Sequence, residues 1–310
     1  MKVTIFTILC LTLLPGCKSY RGEFLEITKK YLPDNYEVLR NCDGVAVDSF
    51  VAQDKYPFFF KQDYVLQYPH VIHEAYHVFS DKINFEESDS VYYRCRLNDT
   101  LIIIFKKFVS IPARQIDSSV EKRDKALLFS YGLYINSSDT NFVTQKSGFI
   151  GLLEEFTASY QGLKAYSALY YFLKDTYGWN DPKVWIGYLF EGGSKVYLTN
   201  HFRLFISWYL QYCKKYQPEI FIEITNDANI RRLYTFIETH SAVLINSFLS
   251  HRNEVIQKIK PLTIIKRGYA TFNPADSGFG YYIDDDIVNV AITDSLLRLP
   301  EHSILNLLRQ

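Results

Sequence analysis

Residues 73 to 77 read His-Glu-Ala-Tyr-His, an HExxH pattern that constrains the fold more than any other segment of the chain. On an α-helix, His73 and His77 lie one turn apart on the same face, with the carboxylate of Glu74 beside them. Two neutral imidazoles at this spacing can bind Zn²⁺, and a neighbouring carboxylate can accept a proton from an activated water molecule. The pattern therefore predicts a metal-binding helix that needs a third ligand from another part of the chain.

The segment from Tyr68 to Lys82 has the pattern of such a helix. Pro69 suits a first helical turn, and four apolar residues recur at helical spacing and predict a core-facing side: Ile72, Ala75, Tyr76 and Phe79. His70 falls on the same face as His73 and His77, where we expect it to line a cleft or cap the helix rather than bind metal. The alternative is that these histidines are solvated or hydrogen-bonded to carboxylates and that no metal binds.

A second long helical pattern, from Gly148 to about Tyr177, contains the best candidate for the third ligand. Glu155, Ala158 and Gly162 lie on one stripe of this helix, and the two small residues would let the HExxH helix approach closely. Glu154 lies about 100° around the helix and would orient a ligand or face solvent. Both glutamates could instead be ordinary carboxylates stabilised by the helix dipole.

An HExxH pattern followed by a distant E-x-x-A on a later helix resembles the gluzincin group of zinc metallopeptidases, the thermolysin-like side of the zincins. The resemblance covers about residues 68 to 162. It implies that His73, His77 and Glu155 bind Zn²⁺ and that Glu74 is the general base and later the proton donor. It also implies an α+β, zincin-like fold, in which a small N-terminal antiparallel sheet lies over the HExxH helix and a mainly helical lobe follows.

Two further expectations come from this resemblance. The thermolysin-like pattern carries an Asp that orients the first histidine, but Ser159 occupies that position here, so Glu154 is the nearest carboxylate that could replace it. The resemblance also implies a Tyr or His from the helical lobe that stabilises the oxyanion. The catalytic candidates for this role are Tyr234 and His240, with Tyr160 and His201 as others.

Local patterns predict a mixed region over about residues 20–115, a helical lobe over 116–260 and a strand-containing tail over 261–310, all within one domain. Four segments are strand-like, of which the last two form a hairpin through Asn98-Asp99: Tyr36 to Cys42, Gly44 to Val51, Ser90 to Leu97 and Thr100 to Phe108. Five segments are helical: Val120 to Ile135, Gly148 to Tyr177, Pro182 to Phe190, Ser194 to Tyr216 and Ala228 to Ile259.

The N-terminus resembles a bacterial lipoprotein signal peptide. Lys2 precedes an apolar stretch, and Leu14-Pro15-Gly16-Cys17 follows, so we expect removal of residues 1–16 and lipidation of Cys17. An unlipidated secretory peptide is the alternative. This predicts a domain of residues 17–310 anchored in the bacterial cell envelope, in the periplasm or on the surface. In that oxidising compartment, Cys42 and Cys95 could form a disulfide, which would leave Cys213 unpaired.

The charge balance excludes one class of partner. Lys plus Arg and Asp plus Glu both number 34, so no basic excess is available to bind nucleic acid. We expect a peptide or protein substrate, a membrane contact through the lipid anchor, and zinc-dependent hydrolysis of peptide bonds. The alternative function is that of a non-catalytic exported binding lipoprotein that retains the zincin-like fold.

Overall fold

The structure, a computed structural model, describes residues 20–53, 63–85, 91–98, 100–260, 264–266, 269–271, 281–282 and 285–309. The proposed signal peptide and Cys17 lie outside the described residues. The chain is mostly helical and carries a small two-stranded antiparallel sheet, as expected for an α+β protein. Among the described residues, no helix combines the length and the apolar composition that a membrane span requires.

The helices and strands are named here in chain order. The helices are α1 (Tyr20–Tyr31), α2 (Tyr36–Arg40), α3 (Gly44–Gln53), α4 (Tyr68–Phe85), α5 (Lys122–Leu127), α6 (Tyr131–Tyr134), α7 (Val143–Lys146), α8 (Phe149–Tyr177), α9 (Pro182–Tyr216), α10 (Pro218–Asn226), α11 (Ala228–Ile259) and α12 (Asp285–Leu297). The strands are β1 (Tyr92–Arg96), β2 (Ile102–Lys106), β3 (Ile264–Lys266), β4 (Tyr269–Thr271) and β5 (Tyr281–Tyr282).

Helix α8 is the centre of the core. It packs against α4, α9 and α11, and its residues are buried on all sides over most of its length. Burial on all sides is typical of a central core helix, and here it includes the polar residues Glu154 and Glu155. Gly148 and Gly178 flank it with φ of 53° and 57°, a conformation that glycine adopts without steric cost. The predicted helix from Gly148 to Tyr177 is therefore confirmed.

Helix α9 is longer than the sequence pattern predicts. One helix, Pro182–Tyr216, replaces the two predicted ones, and Asp181 caps its start by accepting a hydrogen bond from the backbone N–H of Lys183. A Cβ at Gly192 would lie 2.6 Å from the Phe248 ring and would also clash with Tyr166. Gly192, which lies between the two predicted helices, therefore allows the single helix to pack closely against its neighbours.

Two predicted strands are wrong. The segments Tyr36 to Cys42 and Gly44 to Val51 form α2 and α3. Their aromatic and β-branched residues suggested strands, but Val47 and Val51 are both fully buried at a spacing of four residues, which is the helical period. Packing against the core therefore overrides a weak local preference for strand.

The predicted hairpin is confirmed. Strands β1 and β2 pair antiparallel, with Cys95 opposite Ile103, and Asn98 accepts hydrogen bonds from the backbone N–H groups of Thr100 and Leu101. Asp99 lies outside the described residues. The hairpin lies against α4. The possible Cys42–Cys95 disulfide is absent, because Cys95 faces Tyr76 and Thr157 while Cys42 lies after α2.

Two further regions differ in part from the predicted pattern. The helix predicted from Val120 to Ile135 is broken into α5 and α6, because buried Leu128 has an extended backbone with φ of −113° and ψ of 101°. The tail forms the antiparallel sheet β3-β4-β5 before α12, as the strand-like pattern indicated. Helix α12, which begins at Asp285, occupies the later part of this predicted strand-containing tail.

The packing of α7 against α8 can be tested at Gly151. A Cβ at this position would lie 2.6 Å from the backbone carbonyl carbon of Val143 and 2.8 Å from Cα of Thr144. Gly151→Ala should therefore lower the free energy of unfolding by about 1–3 kcal/mol, measured by urea denaturation. Gly22→Ala is the control, since exposed Gly22 has no neighbouring atom within 4 Å and alanine there should raise stability by about 0.5–1 kcal/mol. Equal stability of the two variants would contradict this packing.

Candidate metal centre

Helix α4 places the HExxH residues at the wall of a cleft. Its apolar side is fully buried, with Ile72, Ala75 and Tyr76 inaccessible to solvent. The opposite side carries His73 and His77, whose side chains are 6% and 21% exposed. The helical period thus places one set of residues in the core and the histidine pair at the surface of a cavity.

Helix α8 brings Glu155 to this histidine pair. The two helices lie close together at Gly162, where a Cβ would lie 3.1 Å from the backbone oxygen of Pro69 and 3.5 Å from Cβ of His73. Of the two small residues predicted to allow this approach, Gly162 is the one that lies at the contact. The Glu155 side chain is 4% exposed, so it is a buried carboxylate beside two imidazoles.

Three potential ligand atoms form a nearly equilateral triangle. Nε2 of His73 lies 3.3 Å from Nε2 of His77, and Oε2 of Glu155 lies 3.6 Å and 3.4 Å from these two nitrogens. A tetrahedral ion with ligands at about 2.0–2.2 Å has ligand-to-ligand edges of roughly 3.3–3.6 Å. The group formed by His73, His77 and Glu155 can therefore bind a metal ion without rearrangement.

The bonding state of these atoms also suits a metal. Oε2 of Glu155 is buried and has no hydrogen-bond partner among the described residues. Its nearest charged neighbour is the His77 ring at 3.4 Å, and a cation at the common vertex of the triangle would pair with this oxygen in place of the ring proton. The buried Nδ1 of His73, which is not one of the three triangle atoms, also lacks a partner within the described part of the chain.

Glu154 orients His77 rather than His73. Oε1 of Glu154 lies 3.0 Å from Nδ1 of His77, which directs Nε2 of that ring towards Glu155. Ser159 does not contact His73, because its hydroxyl pairs with Thr199 at 3.0 Å. The prediction that Glu154 orients a ligand is therefore consistent with the geometry, although the oriented ligand is the second histidine of the motif.

Charges around the triangle shift two pKa values. Burial lowers the pKa of His77, but the charges of Glu155 and Glu154 outweigh it and raise the pKa well above its usual value. Burial raises the pKa of Glu155, but the charge of His77 and the proximity of both histidines lower it to about 2. Without metal, His77 is therefore an imidazolium ion beside a carboxylate, and a metal ion must displace its proton.

Glu74 lines the same cleft, which has a volume of about 950 Å³. Its side chain is 31% exposed, and Nδ1 of His70 lies 3.8 Å from Oε1, beyond hydrogen-bond distance. Burial, with the charges of Lys195 and His73, lowers the pKa of His70 to about 3, so this ring is neutral. His70 is a neutral neighbour of Glu74 and not a member of the triangle, as expected from the sequence.

Tyr134 is a functional candidate that the sequence analysis did not identify. It lines the cleft, and its hydroxyl makes no hydrogen bond within the described part of the chain. Burial, and then the nearby charges of Glu155 and Glu74, raise the pKa of this phenol well above its usual value, so it keeps its proton. Gln145 holds this segment by donating to the backbone oxygens of Tyr134 and Ile135. No local pattern marks Tyr134, because its position follows from the break between α5 and α6.

The tyrosine and histidine residues predicted as oxyanion donors lie outside the cleft lining. Tyr234 is fully buried between α8 and α11, where its ring lies 5.8 Å from that of Phe156 and its hydroxyl bonds Glu238. His240 is exposed and stacks on Phe236. Helix α11 turns these residues towards the core and the solvent, so the assignment of both to the catalytic group is corrected here. Tyr160 and His201 are also absent from the cleft wall.

Comparisons of the chain with protein-family models, curated proteins and solved structures return no match. A fold by itself does not define a function, so the conclusion about this protein depends on the chemistry of the site.

Metal binding can be tested directly with Zn²⁺ as the probe. An excess of about 100 times the dissociation constant should stabilise the protein by about 2.7 kcal/mol, which calorimetry would detect as a rise in Tm. The affinity should increase with pH, because the raised pKa of His77 means that protons compete with the metal. His77→Ala should abolish the shift, whereas His240→Ala, at the exposed site, should retain it. A shift that persists in His77→Ala would place the metal elsewhere.

Proposed function

We propose that this protein is a zinc-dependent peptidase of gluzincin type with a zincin-like arrangement of the sheet over the HExxH helix. The observation that supports this proposal is the triangle formed by His73, His77 and Glu155, which adjoins a cleft that also contains Glu74. Metal ligands and an available carboxylate in one open cavity are the combination that metal-assisted hydrolysis requires.

The ligand set favours zinc over other common cations. Two imidazole nitrogens and one carboxylate are typical of catalytic zinc sites, which leave a fourth position open. Calcium and magnesium prefer sites built from oxygen ligands, and no cysteine lies in this group. When bound, Zn²⁺ would make a water molecule more acidic and would polarise the carbonyl of the peptide bond.

Glu74 would move the proton in this reaction. Its carboxylate takes a proton from the attacking water, whose oxygen forms the new bond to the carbonyl carbon. The same carboxyl group then gives that proton to the amine nitrogen as the carbon–nitrogen bond breaks. Glu74 is available for both steps. Its side chain is partly exposed to the cleft, and it makes no short ion pair among the described residues.

Tyr134 would stabilise the negative charge that develops on the carbonyl oxygen. Its phenol is protonated, lines the cleft and lies near both Glu155 and Glu74. A fixed hydroxyl donor in a largely buried site stabilises a developing oxyanion more than it stabilises the neutral carbonyl. This role would replace the one assigned from the sequence to Tyr234 and His240.

The cleft suits a polypeptide segment as substrate. Its volume of about 950 Å³ exceeds the space that a single amino acid needs, and its wall is lined by both apolar and polar residues. Phe108, Leu133 and Phe142 supply apolar surface on this wall. As part of the same proposal, lipidation of Cys17 would hold this activity at the membrane of the bacterial cell envelope.

The assignment of Glu74 as the proton carrier predicts a separation of binding from turnover. Glu74→Gln should retain Zn²⁺ but lower kcat/KM on a peptide library by about 10²- to 10⁴-fold, because the amide cannot accept the proton. Glu121→Gln, on the exposed surface, is the control and should cleave like the wild type. Equal turnover by wild type and Glu74→Gln would exclude this mechanism. Zinc binding without cleavage by the wild type would favour the binding lipoprotein instead.

The assignment of Tyr134 makes a second kinetic prediction. Tyr134→Phe should lower kcat by about 10²-fold with little change in KM, because the hydroxyl acts mainly in the transition state. Tyr131→Phe is a matched control, since this nearby tyrosine donates its hydroxyl to Asp117 and does not line the cleft. An unchanged kcat in Tyr134→Phe would remove the residue from the mechanism.

A further inference from the structure

A chain of buried hydrogen bonds connects the β-hairpin to the metal site. The hydroxyl of Tyr93, on β1, lies 2.6 Å from Oε2 of Glu154, the carboxylate that bonds His77 through its other oxygen. The hydroxyl of Ser80, on α4, lies 3.0 Å from that of Tyr93. The amide nitrogen of Asn84 lies 2.9 Å from the backbone oxygen of Ser80 and 3.4 Å from its Oγ. Helix α4, strand β1 and the distant helix α8 thus meet in one polar network.

The carboxylate of Glu154 determines which group donates in each hydrogen bond of this network. A carboxylate can only accept, so Glu154 receives the O–H of Tyr93 on one oxygen and the Nδ1–H of His77 on the other. Because Tyr93 has one proton and gives it to Glu154, the hydroxyl of Ser80 must donate to Tyr93. The two amide protons of Asn84 go to the closer acceptors, the backbone oxygens of Ser80 and Arg94, so the hydroxyl of Ser80 is the first donor of this series. This order keeps a proton on Nδ1 of His77, so Nε2, the atom that faces Glu155, is the nitrogen that can bind a metal ion once its own proton is displaced.

Asn84 also holds the hairpin in place against α4. Its side-chain oxygen accepts the backbone N–H of Arg94 at 2.8 Å, and its nitrogen donates to the backbone oxygen of Arg94 at 3.1 Å. This pair of bonds reproduces the contacts of a neighbouring strand and positions Tyr93, the adjacent residue. Tyr93 is 7% exposed and Glu154 6%, so water cannot readily replace a lost bond.

We propose that Tyr93 is a positioning residue for the metal centre, which acts by holding Glu154 so that His77 presents Nε2 to the ion. This inference rests on the metal site of the proposed function and goes beyond it by making the placement of the hairpin a determinant of metal affinity. The ligands alone do not require β1, whereas the orientation of His77 does. Carboxylates that hydrogen-bond a metal-binding histidine contribute substantially to metal affinity.

The consequence of losing the Tyr93 hydroxyl follows from the geometry. Oε2 of Glu154 would remain buried without its donor, so the carboxylate would gain by rotating towards other donors, at the expense of its bond to His77. The ring of His77 would then no longer be held in one orientation and tautomer. Tyr93→Phe would keep the aromatic ring and its packing against Phe105, whose centroid lies 5.3 Å from that of Tyr93.

The test compares Tyr93→Phe with Tyr68→Phe in the full chain. Tyr68 is a fully buried tyrosine at the start of α4 whose hydroxyl pairs with Thr28 at 2.9 Å, so both variants lose one buried hydroxyl and keep the ring. Zn²⁺ affinity is measured by competition with a chromophoric chelator. Tyr93→Phe should bind Zn²⁺ about 10-fold more weakly than the wild type, while Tyr68→Phe should be unchanged.

A spectroscopic measurement separates positioning from a general loss of stability. The visible absorption bands of the Co²⁺-loaded protein report ligand geometry, and they should shift in Tyr93→Phe but not in Tyr68→Phe. If Tyr93→Phe fails to fold, Ser80→Ala provides the same test, because it removes the donor to Tyr93 and should weaken Zn²⁺ binding in the same direction.

The possible outcomes distinguish the role of Tyr93 from the proposed hydrolysis. Wild-type affinity and an unchanged Co²⁺ spectrum in Tyr93→Phe would overturn the role of Tyr93. Equal weakening in Tyr93→Phe and Tyr68→Phe would also overturn it, since the effect would then be one of stability. A wild type that binds Zn²⁺ but cleaves no peptide would overturn the proposed hydrolysis and leave the positioning role intact. A wild type that binds no Zn²⁺ would overturn both.

Discussion

The close approach of α4 to α8 is the contact on which the rest of the site depends. Gly162 allows the backbone oxygen of Pro69 to lie where a Cβ would be only 3.1 Å away, and it brings His73 to Glu155. The separations of 3.3 to 3.6 Å within the ligand triangle leave little room for a shift between the helices. The contact between α4 and α8 therefore forms part of the core and also holds the metal-binding side chains together.

Two adjacent carboxylates, those of Glu154 and Glu155, are buried, and the surrounding residues offset the energetic cost of their burial in different ways. A buried carboxylate is stable only when it is paired or hydrogen-bonded. Glu154 is satisfied by His77 and Tyr93, whereas Oε2 of Glu155 has no hydrogen-bond partner in the described part of the chain. The difference separates their roles, since Glu154 holds a ligand in place and Glu155 is left to bind a cation.

Long, strongly periodic segments were predictable and short ones were not. The helices α4, α8 and α11 and the β1–β2 hairpin agree with their sequence patterns, because many residues repeat the same period. The segments that became α2 and α3 are short, and a few β-branched residues fit either period. The single helix α9 and the break at Leu128 depend on packing partners elsewhere in the chain, which local patterns do not contain.

The sequence by itself determined the three members of the candidate metal site. The spacing of His73 and His77 is a property of one helix, and the small residues that follow Glu155 on its stripe predict a close helix contact. The tertiary structure decided which residues serve that site. Glu154 bonds a histidine 77 positions away and a tyrosine 61 positions away, and Tyr134 reaches the cleft only through a break in a helix. Such contacts depend on how distant segments pack, whereas ligand spacing depends on the geometry of a single helical turn.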